Sequence, residues 1–139
     1  MKDDRRQQLI AFLNALLEAE RAGVKVLSDL IQEVDSEDLC FMMRKFLIDE
    51  GTNCQILSSS IKRLDGKPSG NTGGFVNKIH SLNEQKEKIE LLMRGQEWVA
   101  KQIRKNRFLF GPGSLAFFLE SMKIQHEENV DAMKKLAGI

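Results

Sequence analysis

Apolar residues recur every three or four positions along most of the chain, a period typical of amphipathic α-helices. The first run predicts helix one over about residues 5–34. The second predicts helix two over about residues 37–64, with Asp35 or Ser36 as its N-cap. Both prolines lie between the predicted helices, so no helix interior carries one.

The second half of the chain predicts two more helices. Helix three is predicted to begin at Leu82, because Ser81 and Glu84 have the spacing of a capping box. Helix four is predicted to follow Ser114. No segment shows convincing strand alternation, so the pattern predicts an all-α fold in which the four apolar stripes are buried together as a four-helix bundle.

The connection between helices two and three, residues 64–81, is longer than a hairpin needs. Within it, Phe75, Val76 and Ile79 predict a short helical turn. With a rise of roughly 3.3 Å per extended residue and 1.5 Å per helical one, this segment can reach about 40 Å, the length of the bundle. Helix two can then run parallel to helix three through a long crossover. An up-down-up-down bundle with a flexible loop is the alternative.

Composition narrows the class of protein. The 139 residues suit a single domain, and 21 Lys and Arg against 20 Asp and Glu leave a net charge of +1. This balance argues against nucleic acid or an anionic membrane as the main partner. The two cysteines cannot form a disulfide framework, and neither a signal-peptide pattern nor a membrane-spanning run is found. We therefore expect a cytoplasmic protein.

Polar residues interrupt each apolar stripe about halfway along its helix. Counted at 1.5 Å per residue, the interruptions lie roughly 18 to 22 Å from the helix ends, at one level of the bundle for either connection. They are Glu20 in helix one, Glu50 and Asn53 in helix two, Gln96 in helix three, and His126 and Asn129 in helix four. These six residues, the polar layer, are predicted to meet in the interior.

A carboxylate in an apolar core costs several kcal/mol unless it is paired, hydrogen-bonded or bound to a metal. Glu20, Glu50 and His126 offer oxygen and imidazole ligands that suit one ion of iron, zinc or manganese. The three amides of the layer would then be weak ligands or hydrogen-bond partners of the ligands: Asn53, Gln96 and Asn129. The alternative is a metal-free network in which His126 is the cation and the two glutamates share charge or a proton.

Three glycines lie inside predicted helices, where each costs about 1 kcal/mol relative to alanine. Gly23, Gly51 and Gly95 all fall within three residues of the polar layer. They can provide room for a ligand or a local distortion of the helix, or they can allow close helix packing.

Glutamates on separate helices, a Glu-x-x-polar pair on helix two and a His-containing pair on helix four give the chain a pattern that resembles the ferritin-like superfamily. The segments LLEAERAG, DEGTNC and RGQEWV also look like an uncharacterised group of small ferritin-like proteins. The resemblance covers nearly the whole chain. It implies a single ferritin-like four-helix domain over residues 1–139, with a long crossover between helices two and three.

In the di-iron members of that superfamily, helices one and three each give a Glu, and helices two and four each give a Glu-x-x-His. By this resemblance, Glu20 and Glu50 match two of the four glutamates. At the other positions Asn53 stands in place of a His, Gln96 in place of a Glu, and His126-x-x-Asn129 in place of Glu-x-x-His. Two carboxylates compensate little of the charge of two ions, so the resemblance implies one metal ion at most.

Apolar residues on the outer faces of the last two helices predict association. Leu91 and Trp98 share the back of helix three, and Phe117 and Ile124 share the back of helix four. A contiguous apolar patch is typical of an interface, although the crossover can cover part of it. We therefore expect a homodimer.

The sequence supports three hypotheses on function. The first is a ferritin-like bundle of unknown biochemical role whose polar layer binds one metal ion. The second is a non-catalytic, dimeric interaction module that keeps a vestigial di-iron site. The third is a small-molecule binder that uses a cavity in the middle of the bundle.

Overall fold

The computed structural model describes residues 3–139, and over these residues it is helical with no strand. The helices are α1 (Asp3–Leu30), α2 (Glu37–Arg63), α3 (Phe75–His80), α4 (Gln85–Lys105) and α5 (Ser114–Ala137), with a 3₁₀ turn at Arg107–Leu109. The all-α prediction is confirmed, and the long helices α1, α2, α4 and α5 form a bundle. The short α3 is the helical turn predicted after helix two.

The first two helices begin and end close to their predicted limits. α1 ends at Leu30, not near residue 34, because Glu33 N–H bonds Leu30 O at 2.9 Å and closes a turn. α2 begins at Glu37 as predicted, and the Ser36 side chain accepts a hydrogen bond from the Leu39 N–H at 3.2 Å. Ser36 is therefore the N-cap.

The predicted start of helix three is wrong. The Ser81 hydroxyl donates to the backbone oxygen of Lys78 at 2.6 Å, so it closes α3 and does not cap the next helix. α4 begins only at Gln85, and Glu84 occupies the N-cap position without a side-chain hydrogen bond. The residue pattern of a capping box is present, but a neighbouring helix uses its hydroxyl.

Two apolar clusters form the core, one on each side of the polar layer. The first combines the N-terminal halves of α1 and α5 with the C-terminal halves of α2 and α4. The second combines the opposite half of each long helix. Fully buried members are Leu13, Leu57, Ile103 and Leu119 in the first cluster and Leu27, Phe46, Leu92 and Met133 in the second.

The connection between α2 and α4 lies along α1. Arg6 donates to the backbone oxygen of Leu64 at 2.8 Å, and Asn14 accepts from the Ser69 N–H at 2.8 Å. The Ser69 hydroxyl donates to Glu18 at 2.7 Å. Farther on, Ile79 of α3 is completely buried in the second cluster. This long segment is thus fastened to α1 at its beginning and to the core near its end.

The outer apolar face differs in part from the prediction. Leu91 is only 9% exposed, because it belongs to the second cluster together with residues of the connection, among them Phe75. Trp98, Phe117 and Ile124 are 43%, 77% and 50% exposed. None of the helices within residues 3–139 combines the length and apolarity needed to cross a bilayer.

Candidate metal centre

The six residues of the polar layer are all buried. Their exposed fractions are 1% for Glu20, 2% for Glu50, 4% for Asn53, 3% for Gln96, 1% for His126 and 7% for Asn129. They come from all four long helices and lie between the two apolar clusters in each of them. The helical rise was therefore sufficient to place them at one level.

Glu20 lies at the centre of the hydrogen-bond network. Its Oε1 accepts from Asn53 Nδ2 at 2.8 Å, and its Oε2 lies 3.0 Å from His126 Nε2. Three helices therefore meet at one carboxylate: α1 through Glu20, α2 through Asn53 and α5 through His126. The histidine is the cation, when protonated, that compensates this buried charge.

His126 is oriented by its own helix. Its Nδ1 lies 2.9 Å from the backbone oxygen of Met122, which can only accept, so Nδ1 carries the proton and donates it. The other nitrogen, Nε2, then faces the carboxylates. Metal-binding histidines commonly donate their second ring N–H to a backbone carbonyl in this way. Burial by itself lowers the pKa of His126, but the charge and hydrogen bond of Glu20, with the Met122 carbonyl, outweigh it and raise the pKa.

Glu50 lies directly over the backbone of α1 at Gly23. A Cβ atom at that glycine would be 2.0 Å from Glu50 Oε1, so the glycine leaves the space that the carboxylate fills. Gly95 instead accommodates α3, since a Cβ there would be 2.9 Å from Phe75 Cζ. Gly51 has no neighbour within 4 Å of a Cβ, so the role predicted for it at the site is not observed.

Two buried oxygens of the layer lack a hydrogen-bond partner among the described residues: Glu50 Oε2 and Gln96 Oε1. Burial, and then the charge of Glu20, raise the pKa of Glu50 well above its ordinary value, while the Gln96 side chain opposes the rise. The second carboxylate therefore lacks the compensating cation that Glu20 has in His126. It needs a proton or another cation.

Glu20, Glu50 and His126 can hold a metal ion together. Each offers one ligand atom, and these atoms lie within 4.8 Å of one another. Oxygen and imidazole ligands at about 2.0 to 2.2 Å from one ion are at most about 4.4 Å apart, so small side-chain movements bring the three atoms into range. All three predicted ligands are thus brought together.

Two of the three amides of the polar layer contact the glutamates, and the third lies at the edge of the layer. Asn53 bonds Glu20, and Gln96 faces Glu50. Asn129 instead donates to Asp49 Oδ2 at 3.4 Å, on the side of the layer where α2 meets α5. The sequence reasoning missed Gln125, whose Oε1 accepts from Asn53 Nδ2 at 2.9 Å. Its spacing of four from Asn129 was the available signal.

A cavity of about 450 Å³ reaches the centre from one side. It lies between α1, α3 and α4, and it is lined at depth by Glu20, Glu50 and Gln96. Gly23 and Gly95 also border it. A molecule that enters between α1 and α4 would therefore end against these carboxylates, which are themselves only 1% and 2% exposed.

Cys54 does not add a nucleophile. Burial, helped by the charges of Glu20 and Glu50, raises the pKa of its thiol to about 12. The thiolate is the reactive form of cysteine, and at this pKa it is scarcely populated near neutral pH.

The raised pKa values predict how the stability of the metal-free protein depends on pH. Ordinary values are about 4.3 for Glu and 6.5 for His, and those of Glu50 and His126 are raised in the folded chain. The folded state keeps protons that the unfolded state has lost, so the free energy of unfolding should fall as pH rises from about 4.3 through the raised values. Glu50→Gln should remove the carboxylate part of this fall and stabilise the protein by about 1 to 3 kcal/mol near pH 8.

Urea unfolding at a series of pH values measures both effects. The exposed Glu128 provides a matched control, Glu128→Gln, which should leave the pH profile unchanged. A Glu50→Gln profile that is parallel to that of the parent would contradict the assignment.

Comparison with known proteins identifies a family but no activity. No curated protein matches the chain, and no solved structure matches it. Residues 7–135, almost the whole chain, match the family described as "Domain of unknown function (DUF6306)". The chain therefore belongs to this DUF6306 family.

Proposed function

We propose that the protein is a ferritin-like helical bundle that binds a single transition-metal ion through Glu20, Glu50 and His126. One observation carries the proposal: beside these ligands, Glu50 Oε2 and Gln96 Oε1 are buried acceptors without a donor among the described residues. A cation between the helices satisfies acceptors of this kind, and two adjacent buried carboxylates otherwise repel each other.

The ligand chemistry supports one divalent ion of zinc, iron or manganese. Two carboxylates balance the charge of one such ion, and they leave a second ion largely uncompensated. Gln96 hydrogen-bonds Glu50 and has a buried Oε1 without a donor, so it would be a weak fourth ligand or a hydrogen-bond partner of the ligands. When bound, the ion would supply Lewis-acid or redox chemistry at the bottom of the cavity. The chain's own part is to orient His126 through Met122 and to flank the ligands with two apolar clusters.

The ferritin-like connection is supported by the composition of the two clusters. The C-terminal halves of α2 and α4 share the first cluster, and their N-terminal halves share the second. Such sharing is expected when these two helices run parallel and a long crossover joins them. The hydrogen bonds from residues 64–69 to α1, followed by burial of Ile79 in the second cluster, support the same path.

The principal alternative is a metal-free network kept in an interaction module. There Glu50 holds a proton, and His126 alone faces the carboxylates as a cation. The metal content of the purified protein separates the two, because the network requires no ion.

Metal binding is tested by elemental analysis of protein purified without chelator and after loading with zinc, manganese(II) or iron(II). We expect about one equivalent per chain. Glu20→Gln, Glu50→Gln and His126→Gln should each lower affinity by about tenfold or more, because each removes a charged or imidazole ligand.

Variants outside the layer serve as controls. Glu128→Gln removes an exposed carboxylate, and His80→Gln removes a histidine that pairs with Asp29 at 2.9 Å on the surface. Both should bind metal as the parent does. Less than about a tenth of an equivalent after loading would eliminate the metal hypothesis.

Gly23→Ala tests the position of Glu50 without touching a ligand. The new methyl group would overlap Glu50 Oε1 and force the carboxylate to move, so metal affinity should fall by about tenfold or more while the bundle stays folded. Gly51→Ala is the matched control, since its methyl meets nothing within 4 Å and should stabilise α2 by about 1 kcal/mol. Equal metal affinities in the two variants, measured by competition with a chelating dye, would argue against Glu50 as a ligand.

A homodimer is part of the proposal. The strong exposure of Phe117 and Ile124 on α5 supports it, as does that of Phe41 and Ile48 on α2, at 78% and 69%. Light scattering after size exclusion should give twice the chain mass, and the double variant Phe117→Ser, Ile124→Ser should shift it toward the monomer. A parent protein that remains monomeric at high concentration would exclude the dimer.

A further inference from the structure

One wall of the cavity beside the candidate metal centre consists of small side chains of α1. Ala15, Ala19 and Gly23 follow one another at intervals of four and therefore form one stripe of the helix, facing α4. The opposite wall is large and apolar and includes Leu91 and Trp98 of α4. The small residues leave space beside the carboxylates that larger side chains would fill, and the apolar wall offers a surface for a hydrophobic molecule.

The two ends of the cavity differ in charge. Lys78 of α3 and Arg94 of α4 line it and are exposed at its mouth, and neither forms an ion pair within residues 3–139. The floor carries Glu50 and Gln96, each with a buried oxygen that lacks a donor. A molecule that fits must therefore be anionic at the mouth and apolar in the middle.

We propose that this cavity binds a small carboxylic acid with an apolar body, such as a medium-chain fatty acid. Its carboxylate pairs with Lys78 and Arg94, and its apolar part lies between Trp98 and the small residues of α1. The volume of about 450 Å³ lies in the range of small-molecule sites. The further idea that such an acid is a substrate rests on the proposed function, because only a bound metal ion would make the floor of the cavity reactive. The binding itself does not need the ion.

Charge disfavours the reverse orientation of the acid, because a carboxylate at the floor would lie against Glu20 and Glu50. Charge also disfavours an amine ligand, because its ammonium group would have to pass Lys78 and Arg94 at the mouth. Like charges in a poorly solvated site repel strongly, so the mouth favours anions and the floor resists them.

The single tryptophan of the chain provides a direct readout, since Trp98 lines the cavity. Decanoate, added below the concentration at which it forms micelles, should change the Trp98 fluorescence in a saturable way. Decylamine of the same chain length should bind at least about tenfold more weakly, a difference of about 1.4 kcal/mol. Equal binding of the two molecules would overturn the proposal.

Two kinds of variant locate the site. Lys78→Ala with Arg94→Ala should weaken decanoate binding about tenfold, whereas the control pair Arg63→Ala with Lys86→Ala removes two exposed cations elsewhere and should leave it unchanged. Ala15→Leu fills the cavity from an exposed position of α1, so it should weaken binding while the chain remains folded by circular dichroism. Decanoate binding that is unaffected by both changes would place it elsewhere and refute the proposal.

The same titration in metal-free and zinc-loaded protein separates this inference from the metal hypothesis. Saturable decanoate binding without metal uptake supports the cavity and refutes the metal centre. Metal uptake without a decanoate response supports the metal centre and refutes the cavity ligand.

Discussion

The placement of two carboxylates in one apolar interior is the constraint on which the rest of this structure depends. The carboxylate of Glu20 is stabilised by His126 Nε2 at 3.0 Å and by a hydrogen bond from Asn53 Nδ2 at 2.8 Å. Glu50, equally buried, has no such partner for its Oε2. Desolvation of an unpaired carboxylate costs several kcal/mol. Although the cavity reaches Glu50, the side chain is only 2% exposed, so most of that cost remains. The buried carboxylate of Glu50 is therefore stable only with a bound proton or a nearby cation.

Small residues on α1 serve both the centre and the cavity. Gly23 leaves the space that Glu50 Oε1 occupies. Together with Ala15 and Ala19 it forms a wall of small side chains on the side of α1 that faces α4. On the other side, Gly95 lets Phe75 of the connecting segment approach α4 closely. The long connection therefore does more than join two helices, because it closes one end of the cavity and contributes Lys78 to its mouth. Access to the buried carboxylates and the packing of the connection depend on the same few side chains.

Periodicity predicted the four long helices, and the rise per residue predicted that their polar interruptions share one level, because both follow from backbone geometry alone. Contacts between elements were harder to predict. Ser81 has a capping-box partner in sequence, yet its hydroxyl closes α3. Leu91 lies on the outer side of α4, yet the connection buries it. Asn129 lies at the level of the polar layer along α5, yet its side chain donates to Asp49 and not to a member of the layer. In each case a neighbouring element decided the outcome, and no local pattern describes that neighbour.

The carboxylate of Asp49 bears on why we propose one ion and not two. Its charge adds to the rise in the pKa of Glu50 that burial and Glu20 cause, but Lys45 pairs with it at 2.8 Å and it does not belong to the cluster of three ligand residues. Glu20 and Glu50 are the carboxylates of that cluster, so under the proposed function one divalent ion with a neutral His126 would leave the floor of the cavity electrically neutral. A neutral floor neither attracts nor repels an apolar chain. Lys78 and Arg94 at the mouth would then orient the proposed anionic guest with its uncharged end toward the floor.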